Sequence, residues 1–272
     1  MSRRAIDPRL AAVRARQRAD QPLIRAVELA EPPDPDAAGR YPWNLPAIRA
    51  FERGLELHPK VTYLIGENGS GKSTLLEAIA VAAGLNAEGG SSNFAFATRE
   101  SHSPLWESLR LVRGSRRPRN DFFLRAESIF NAATYLDEDA GSAALGRDLL
   151  ESYGGVSLHE QSHGESFLAI LLNRFGPDGF YVMDEPEAAL SAQNCLTCLR
   201  RIHDLVQEGC QFVIATHSPI VLAYPEATIY ECGADGLAPV EYEQAELVRL
   251  FGSFMADRER MLALLLGESA PR

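Results

Sequence analysis

The sequence predicts an α/β fold built around a mainly parallel sheet. Three short runs rich in β-branched and aromatic residues indicate buried strands: VTYLI at 61–65, FYVMD at 180–184 and QFVIAT at 211–216. The first two runs are each followed by a segment with helical periodicity. Alternation of strand and helix is typical of parallel sheets, and this pattern decides the fold class.

The remaining elements are consistent with such a core. LIRAVELA at 23–30 indicates a first strand, and YPWNLPAIRAFERGLELHP indicates an irregular stretch followed by edge strands. Further elements are predicted in this order: a helix in STLLEAIAVAAGL, a helix in SFLAILLNRF that stops at GPDG, a long helix over 188–207 and a last strand in ATIYEC at 227–232. Beyond residue 241, helical spacing predicts C-terminal amphipathic helices, with apolar positions at Leu247, Leu250, Phe251, Phe254 and Met255.

Composition narrows the class of protein. The chain has 272 residues, of which 46% are hydrophobic and 24% charged, so it can bury a core as a single domain over residues 1–272. A net charge of −10 makes attraction to nucleic acid or anionic lipid an unlikely default, and no apolar run is long enough to span a membrane. The basic segment 1–20 lacks an apolar core; it predicts a solvated helix, with an organellar presequence as the alternative. We expect a cytoplasmic protein.

Residues 86–160 are less regular. LWESLRLVR is interpreted as a helix, a second helix is predicted over 125–137, and no strong strand pattern is evident. These features predict a helical subdomain inserted at approximately 95–175. The same region carries a basic cluster, which comprises Arg110, Arg113, Arg116, Arg117, Arg119 and Arg125.

One loop carries a specific chemical signal. The segment Gly66-Glu67-Asn68-Gly69-Ser70-Gly71-Lys72-Ser73-Thr74 fits G-x-x-x-x-G-K-[ST] and lies between a predicted strand and a predicted helix. Its glycines let backbone N–H groups approach phosphate oxygens at a helix N-terminus, while Lys72 reaches the β- and γ-phosphates and Ser73 supplies a hydroxyl to Mg²⁺. The chain has 25 Arg but only two Lys, Lys60 and Lys72, so a lysine at position 72 indicates a need for a compact charge.

Two further motifs stand at the ends of predicted strands. Asp184 and Glu185 end FYVMD, where Asp184 is expected to hold Mg²⁺ and Glu185 to orient or deprotonate the attacking water. Ala215-Thr216-His217-Ser218-Pro219 ends QFVIAT, and His217 is interpreted as a γ-phosphate contact.

The order of these motifs resembles that of ABC-type P-loop ATPases. Their residues resemble those of the soluble AAA-15 and AAA-21 types, which are related to the OLD, RecF and SMC groups. The resemblance covers most of residues 20–235. It implies a P-loop NTPase core with an antiparallel edge sheet, ATP and Mg²⁺ as ligands, and a signature motif in which Ser162 and Gly164 act in trans. It also implies an ATP-dependent, head-to-tail homodimer in which ATP lies between Walker A of one copy and the signature of the other.

Some positions depart from that family. Glu165 stands where the signature has Gln, and Ser191, in Ala188-Ala189-Leu190-Ser191, stands where the family's D-loop has Asp. No Gln occurs between residues 74 and 160, so the Q-loop residue is either missing or replaced, with Asn93 and Thr98 as the candidates for a replacement. Tyr41 and Trp43 are the candidates for stacking on the adenine.

The expected activity is ATP hydrolysis by a soluble protein. Two alternatives remain: the nucleotide-binding subunit of an ABC transporter, and a nucleic-acid-associated repair or defence ATPase, for which the basic cluster is the support. Two further segments contain residue types that can bind a metal ion. The His and Glu residues of HEQSHGE at 159–165 and the pair Cys195 and Cys198 could be metal ligands, but a signature loop and buried small side chains explain them better.

Overall fold

The computed structural model describes residues 19–31, 33–87, 89–90, 103–125 and 162–267, without the side chains of residues 49, 50 and 52. Residues 1–18 of the basic segment 1–20, residues 126–137 of the helix predicted over 125–137, Asn93, Thr98 and Gln161 lie outside these ranges. Within the described ranges, no helix has the length and apolar character needed to cross a membrane.

A small antiparallel sheet is formed by the first part of the chain. It contains β1 (Ile24–Leu29), β2 (Leu55–Glu56) and β4 (Leu109–Arg113) in the order β2-β1-β4. Two 3-10 helices, Pro46–Glu52 and Pro104–Ser108, accompany it. This is the antiparallel edge sheet that the resemblance implies.

The large sheet carries six strands: β3 (Val61–Gly66), β5 (Asn120–Arg125), β6 (Gly179–Asp184), β7 (Gln211–Ala215), β8 (Ala227–Gly233) and β9 (Gly236–Val240). Their order is β5-β6-β7-β3-β8-β9, and only the β8–β9 pair is antiparallel. Every residue of β6 and β7 is buried, because both faces of the sheet are covered. The mainly parallel α/β fold is confirmed.

Two layers of helices produce this burial. The helix α1 (Lys72–Ala83) packs with the small sheet on one face, where Leu75, Leu76 and Ile79 join Phe180 and Val182 of β6. The other face is covered by three elements: α2 (His163–Ala169), a π-helical turn (Ile170–Arg174) and α3 (Ala192–Gln207). Successive side chains of β6 therefore lie on opposite faces of the sheet and pack into two different hydrophobic cores.

A buried glutamine joins the two sheets. The Gln211 side chain accepts hydrogen bonds from the N–H groups of Leu23 and Ile24, both at 2.9 Å, and donates to the carbonyls of Ile24 and His58 at 2.8 and 2.9 Å. Because all of its polar atoms are paired, its burial is compatible with a stable core.

Within the predicted helical insertion, residues 163–174 are helical, whereas residues 104–125 differ from the prediction. Residues 104–113 form a 3-10 helix and strand β4, so the helical interpretation of LWESLRLVR is wrong. Residues 120–125, which end with Arg125 of the basic cluster, form strand β5 with Phe122, Phe123 and Leu124 buried. Pairing with β1 and β6 decides both conformations, and local sequence does not reveal it.

The chain closes with short α4 (Pro219–Leu222), a 3-10 turn (Tyr242–Gln244), and the helices α5 (Glu246–Ala256) and α6 (Arg258–Leu266). Leu247 and Val248 of α5 pack against the core, whereas Met255 is 79% exposed and Leu265 of α6 is also 79% exposed. The periodicity correctly predicts helices here, but only part of their apolar surface is covered by described residues.

Candidate functional site

Four neighbouring strands bring the predicted site residues to one edge of the large sheet. The carboxyl ends of β5, β6, β7 and β3 lie side by side in that order, and they carry Arg125, Asp184, the segment 215–217 and Gly66. Ligands of open parallel sheets bind at this edge. The residues are far apart in sequence, so the sheet order creates the site.

The loop between β3 and α1 wraps around the Lys72 ammonium. Lys72 Nζ donates to the carbonyls of Gly66 and Glu67, each at 2.8 Å, and lies 3.5 Å from Ser70 Oγ. Gly66 has φ 138°, and a Cβ there would lie 2.7 Å from the Cys232 carbonyl of β8. Only glycine therefore fits the first position of the loop.

Burial shifts the protonation equilibrium of Lys72. It lowers the pKa of Lys72 from its usual value, while Glu185, the Cys232 thiol, Asp184 and Glu187 act in the opposite direction. A lysine in such surroundings is only weakly hydrated, which strengthens its attraction to a phosphate group.

Ser73, which follows Lys72, faces Asp184 at the end of β6. Ser73 Oγ donates to Asp184 Oδ1 at 3.1 Å, and the Asp184 side chain is only 8% exposed. A hydroxyl and a carboxylate at this separation offer the oxygen ligands that Mg²⁺ prefers, so the donor set fits a magnesium ion.

Glu185 and His217 face one another across the ends of β6 and β7. Glu185 has φ 48° and ψ 55°, in the left-handed region, and its N–H donates to the Ala215 carbonyl at 2.9 Å. His217 Nε2 lies 3.6 Å from Glu185 Oε1, beyond hydrogen-bonding distance, and among the described buried side-chain atoms it is the one without a hydrogen-bond partner. A buried polar atom without a partner, beside a strained acid, indicates a position meant for a ligand.

Sequence reasoning missed a carboxylate that holds the histidine loop. Glu187, in the 3-10 helix Pro186–Ala189, accepts a hydrogen bond from Thr216 Oγ1 at 2.7 Å and another from the His217 N–H. Its two oxygens therefore bind consecutive residues after β7. The repeated acid in DEPE was the available signal, because a carboxylate two residues after Glu185 lies at the same sheet edge.

Arg125 was assigned to the basic cluster but lies inside the site. Its Nη1 donates to Glu77 Oε2 of α1 at 2.9 Å, and its Nε lies 3.5 Å from Asp184 Oδ2. Recognising β5 as a strand would have placed it there, since Arg125 pairs in register with Asp184.

The signature candidates begin α2. Ser162 is its N-cap: Ser162 Oγ accepts from the Glu165 N–H at 3.4 Å, and Glu165 Oε2 accepts from Ser162 Oγ at 2.7 Å and from its N–H at 2.9 Å. These hydrogen bonds with Ser162 hold the pKa of Glu165 below its usual value. The reciprocal pair is a capping box, in which either Glu or Gln can serve, and this explains locally why Glu165 is accepted.

Gly164 has a packing reason to be glycine. A Cβ at this position would lie 2.7 Å from the Ala189 carbonyl, so α2 closely approaches the segment that follows β6. Ser191, which stands in place of the D-loop Asp, is the N-cap of α3 and accepts from the Asn194 N–H at 3.2 Å. Both residues therefore have structural roles within one chain.

Of the two metal alternatives, the one in HEQSHGE includes residues 159–161, which lie outside the described ranges. Within those ranges, no group of three or more His, Cys, Asp and Glu side chains is arranged to bind a metal ion. Cys195 and Cys198 are buried in the α3 core, and burial raises the pKa of Cys198 to about 12. Of the stacking candidates, Tyr41 is 61% exposed, and Trp43 packs against the core beside α1.

Much of the basic cluster takes part in internal contacts. Arg116 forms an ion pair with Asp178 and donates to the Gly209 carbonyl at 3.0 Å, while Arg110 bonds Glu28 at 2.6 Å. Arg119 is exposed and lies 3.8 Å from Asp178. Four of the six arginines of the cluster, Arg110, Arg116, Arg119 and Arg125, therefore form ion pairs with acidic residues of the same chain.

Comparisons with known proteins bear on the fold. Residues 45–132, less than half of the chain, match the model of a family described as AAA domain. A comparison with curated proteins found no match.

Similar solved structures include the SMC head domain from Thermotoga maritima, which is 18% identical with a TM-score of 0.37 and covers 69% of this chain and 93% of that chain. A structure of SmcHead bound to the C-winged helix domain of ScpA is 16% identical with a TM-score of 0.39, over 70% of this chain and 93% of that chain. An RNase-L Inhibitor is 23% identical with a TM-score of 0.36, over 66% of this chain and 37% of that chain. Similarity at this level does not inform function. The matched range 45–132 includes strand β3, the loop around Lys72 and helix α1, so this part of the chain is similar to an AAA domain.

Proposed function

We propose that the protein binds ATP at the loop 66–74 and hydrolyses it. The observation that carries the proposal is the meeting of Lys72, Ser73, Asp184, Glu185 and His217 at adjacent strand ends. Each has a group that phosphoryl transfer needs, and hydrolysis of a phosphoanhydride depends mainly on positioning and charge stabilisation.

The roles of the residues follow from their surroundings. Lys72 and the N–H groups at the start of α1 bind the phosphates, and His217 Nε2 binds the γ-phosphate. Glu185 orients the attacking water and accepts its proton. Ser73 and Asp184 would hold Mg²⁺, which when bound offsets negative charge on the β- and γ-phosphates.

Loss of ATP binding in Lys72→Ala tests the nucleotide site. We expect binding, measured by calorimetry, to weaken at least about 100-fold, because removal of a partly buried charged contact costs about 3 kcal/mol or more. Thr74→Ser, which keeps a hydroxyl at the neighbouring position, is the control. Unchanged ATP affinity in Lys72→Ala would remove the proposal.

We further propose a head-to-tail homodimer in which Ser162 and Gly164 of a second copy close over the nucleotide. Its support is the start of α2, where Ser162 is exposed and the helix N-terminus carries a positive partial charge. The ligand then supplies part of the interface, so dimerisation depends on ATP.

Sizing of Glu185→Gln tests the dimer. This variant is expected to bind ATP without turnover and to elute as a dimer with ATP and Mg²⁺, but as a monomer without nucleotide. Glu185→Gln carrying Lys72→Ala is the matched control and should remain monomeric. A monomer of Glu185→Gln at saturating ATP would contradict the head-to-tail arrangement while leaving the nucleotide site intact.

A further inference from the structure

A permanent positive charge lies against the carboxylate that is proposed to hold Mg²⁺. Arg125 Nε is 3.5 Å from Asp184 Oδ2, while Ser73 Oγ is 3.1 Å from Asp184 Oδ1. The two oxygens of Asp184 therefore face different partners, a hydroxyl on one side and a guanidinium on the other.

The guanidinium is fixed in this position by further contacts. Glu77 Oε2 accepts from Arg125 Nη1 at 2.9 Å, and the Arg125 guanidinium carbon lies 5.7 Å from the centre of the buried Phe123 ring. The three charged side chains are 22%, 18% and 8% exposed for Arg125, Glu77 and Asp184, respectively. Solvent therefore screens this cluster less than it screens a surface ion pair.

Within this cluster, the Arg125 guanidinium opposes binding of a divalent cation at Asp184. A guanidinium remains protonated at every ordinary pH, so it repels a second cation that approaches the same carboxylate. Glu77 moderates the effect, because its negative charge attracts the same guanidinium and competes with Asp184 for it. The balance between Glu77 and Asp184 then decides how strongly Arg125 holds the acid.

We propose that Arg125 is a positioning residue that holds the Asp184 carboxylate in the metal-free protein and competes with Mg²⁺ for it, so that Mg²⁺ binds tightly only together with the phosphates of the nucleotide. The inference rests on the proposed ATP site and adds to it a coupling between metal and nucleotide. Glu77 lies on helix α1, which begins at Lys72. Its hydrogen bond with Arg125 therefore links the guanidinium to the helix of the proposed phosphate site.

Calorimetric ATP affinities in EDTA and in saturating Mg²⁺ test the proposal, and their ratio defines the metal effect. In Arg125→Gln the metal effect should rise about threefold or more, because one poorly screened like charge no longer opposes Mg²⁺. In Arg125→Lys, which keeps the charge, it should stay near that of the wild type. In Glu77→Gln it should fall, because Arg125 then interacts with Asp184 alone.

A merely structural role for Arg125 predicts a different result. Loss of fold support would weaken ATP binding in both buffers alike and leave the ratio unchanged, and that outcome overturns the proposal. A change in the same direction in Arg125→Gln and Glu77→Gln also overturns it. If Arg125→Gln does not fold by circular dichroism, the opposite behaviours expected of Arg125→Lys and Glu77→Gln decide. Absence of ATP binding by the wild type in both buffers would instead refute the proposed function.

Discussion

Two lysines in a chain with 25 arginines have different reasons to be lysine. Lys72 fits inside a loop whose carbonyls approach it at 2.8 Å, where the planar fork of an arginine would not fit. Lys60 lies elsewhere, with its side chain 9% exposed and paired with Glu226 at 2.6 Å and Asp20 at 3.3 Å. The scarcity of lysine thus draws attention to the loop at Lys72, where we propose phosphate binding. At Lys60 the lysine forms compact ion pairs.

Glu187 is the residue that sequence reasoning undervalued most, and its substitution gives a prediction. In Glu187→Gln one of the two acceptors becomes an amide donor, so either Thr216 Oγ1 or the His217 N–H loses its partner, which costs about 1–3 kcal/mol. We expect kcat for ATP hydrolysis to fall while KM changes little, because the displaced group is His217. Steady-state kinetics measure both constants.

Thr216→Ser is the matched control for this prediction. It keeps the hydroxyl that donates to Glu187 and accepts from the Ser218 N–H at 3.0 Å, so its kcat should stay near that of the wild type. A fall in thermal stability of Glu187→Gln with an unchanged kcat would show that Glu187 only supports the fold.

At the scale of elements, prediction succeeded where a segment's own sequence decides its conformation. The runs VTYLI, FYVMD and QFVIAT are buried strands because most of their residues are apolar. The polar Gln211 is accommodated by four hydrogen bonds, and Asp184 stands at the end of its strand. Prediction failed for β4 and β5, because the charged residues in LRLVR and NDFFLR interrupt the apolar pattern of these short strands. Arg113 and Arg125 stand at strand ends, where charged side chains reach solvent or a partner, and only pairing with neighbouring strands reveals this.

The start of α2 provides a prediction at this scale. Ser162→Ala removes the two hydrogen bonds of the Ser162 hydroxyl, keeps the bond from its N–H to Glu165, and should lower the free energy of unfolding by about 1 kcal/mol. Thermal unfolding without nucleotide measures the loss. Glu165→Gln retains an acceptor for the Ser162 N–H and should be affected less. If Ser162→Ala leaves stability unchanged and abolishes only the ATP-dependent dimer, the hydroxyl serves the nucleotide rather than the helix.

For the whole molecule, the sheet order explains why the site residues could be identified but their mutual contacts could not. Motif spacing predicts Lys72, Asp184, Glu185 and His217 as site residues from local patterns, and the structure brings them to one edge of the sheet. The contacts of Arg125 and Glu187 depend on which strand lies beside which, and β5-β6-β7-β3 is not written in any one segment. The same order turns a chain with a net charge of −10 into one that gathers Lys72, Arg125 and a helix N-terminus at a single edge.

The central claim, that this sheet edge hydrolyses ATP, is tested most directly by measuring phosphate release and ATP affinity on the same preparations of wild type and Glu185→Gln. The wild type should release phosphate from ATP and Mg²⁺. The variant should bind ATP with an affinity close to that of the wild type while its turnover falls about 10²-fold or more, as expected for loss of a general base. Phosphate release by Glu185→Gln at the wild-type rate would contradict the account.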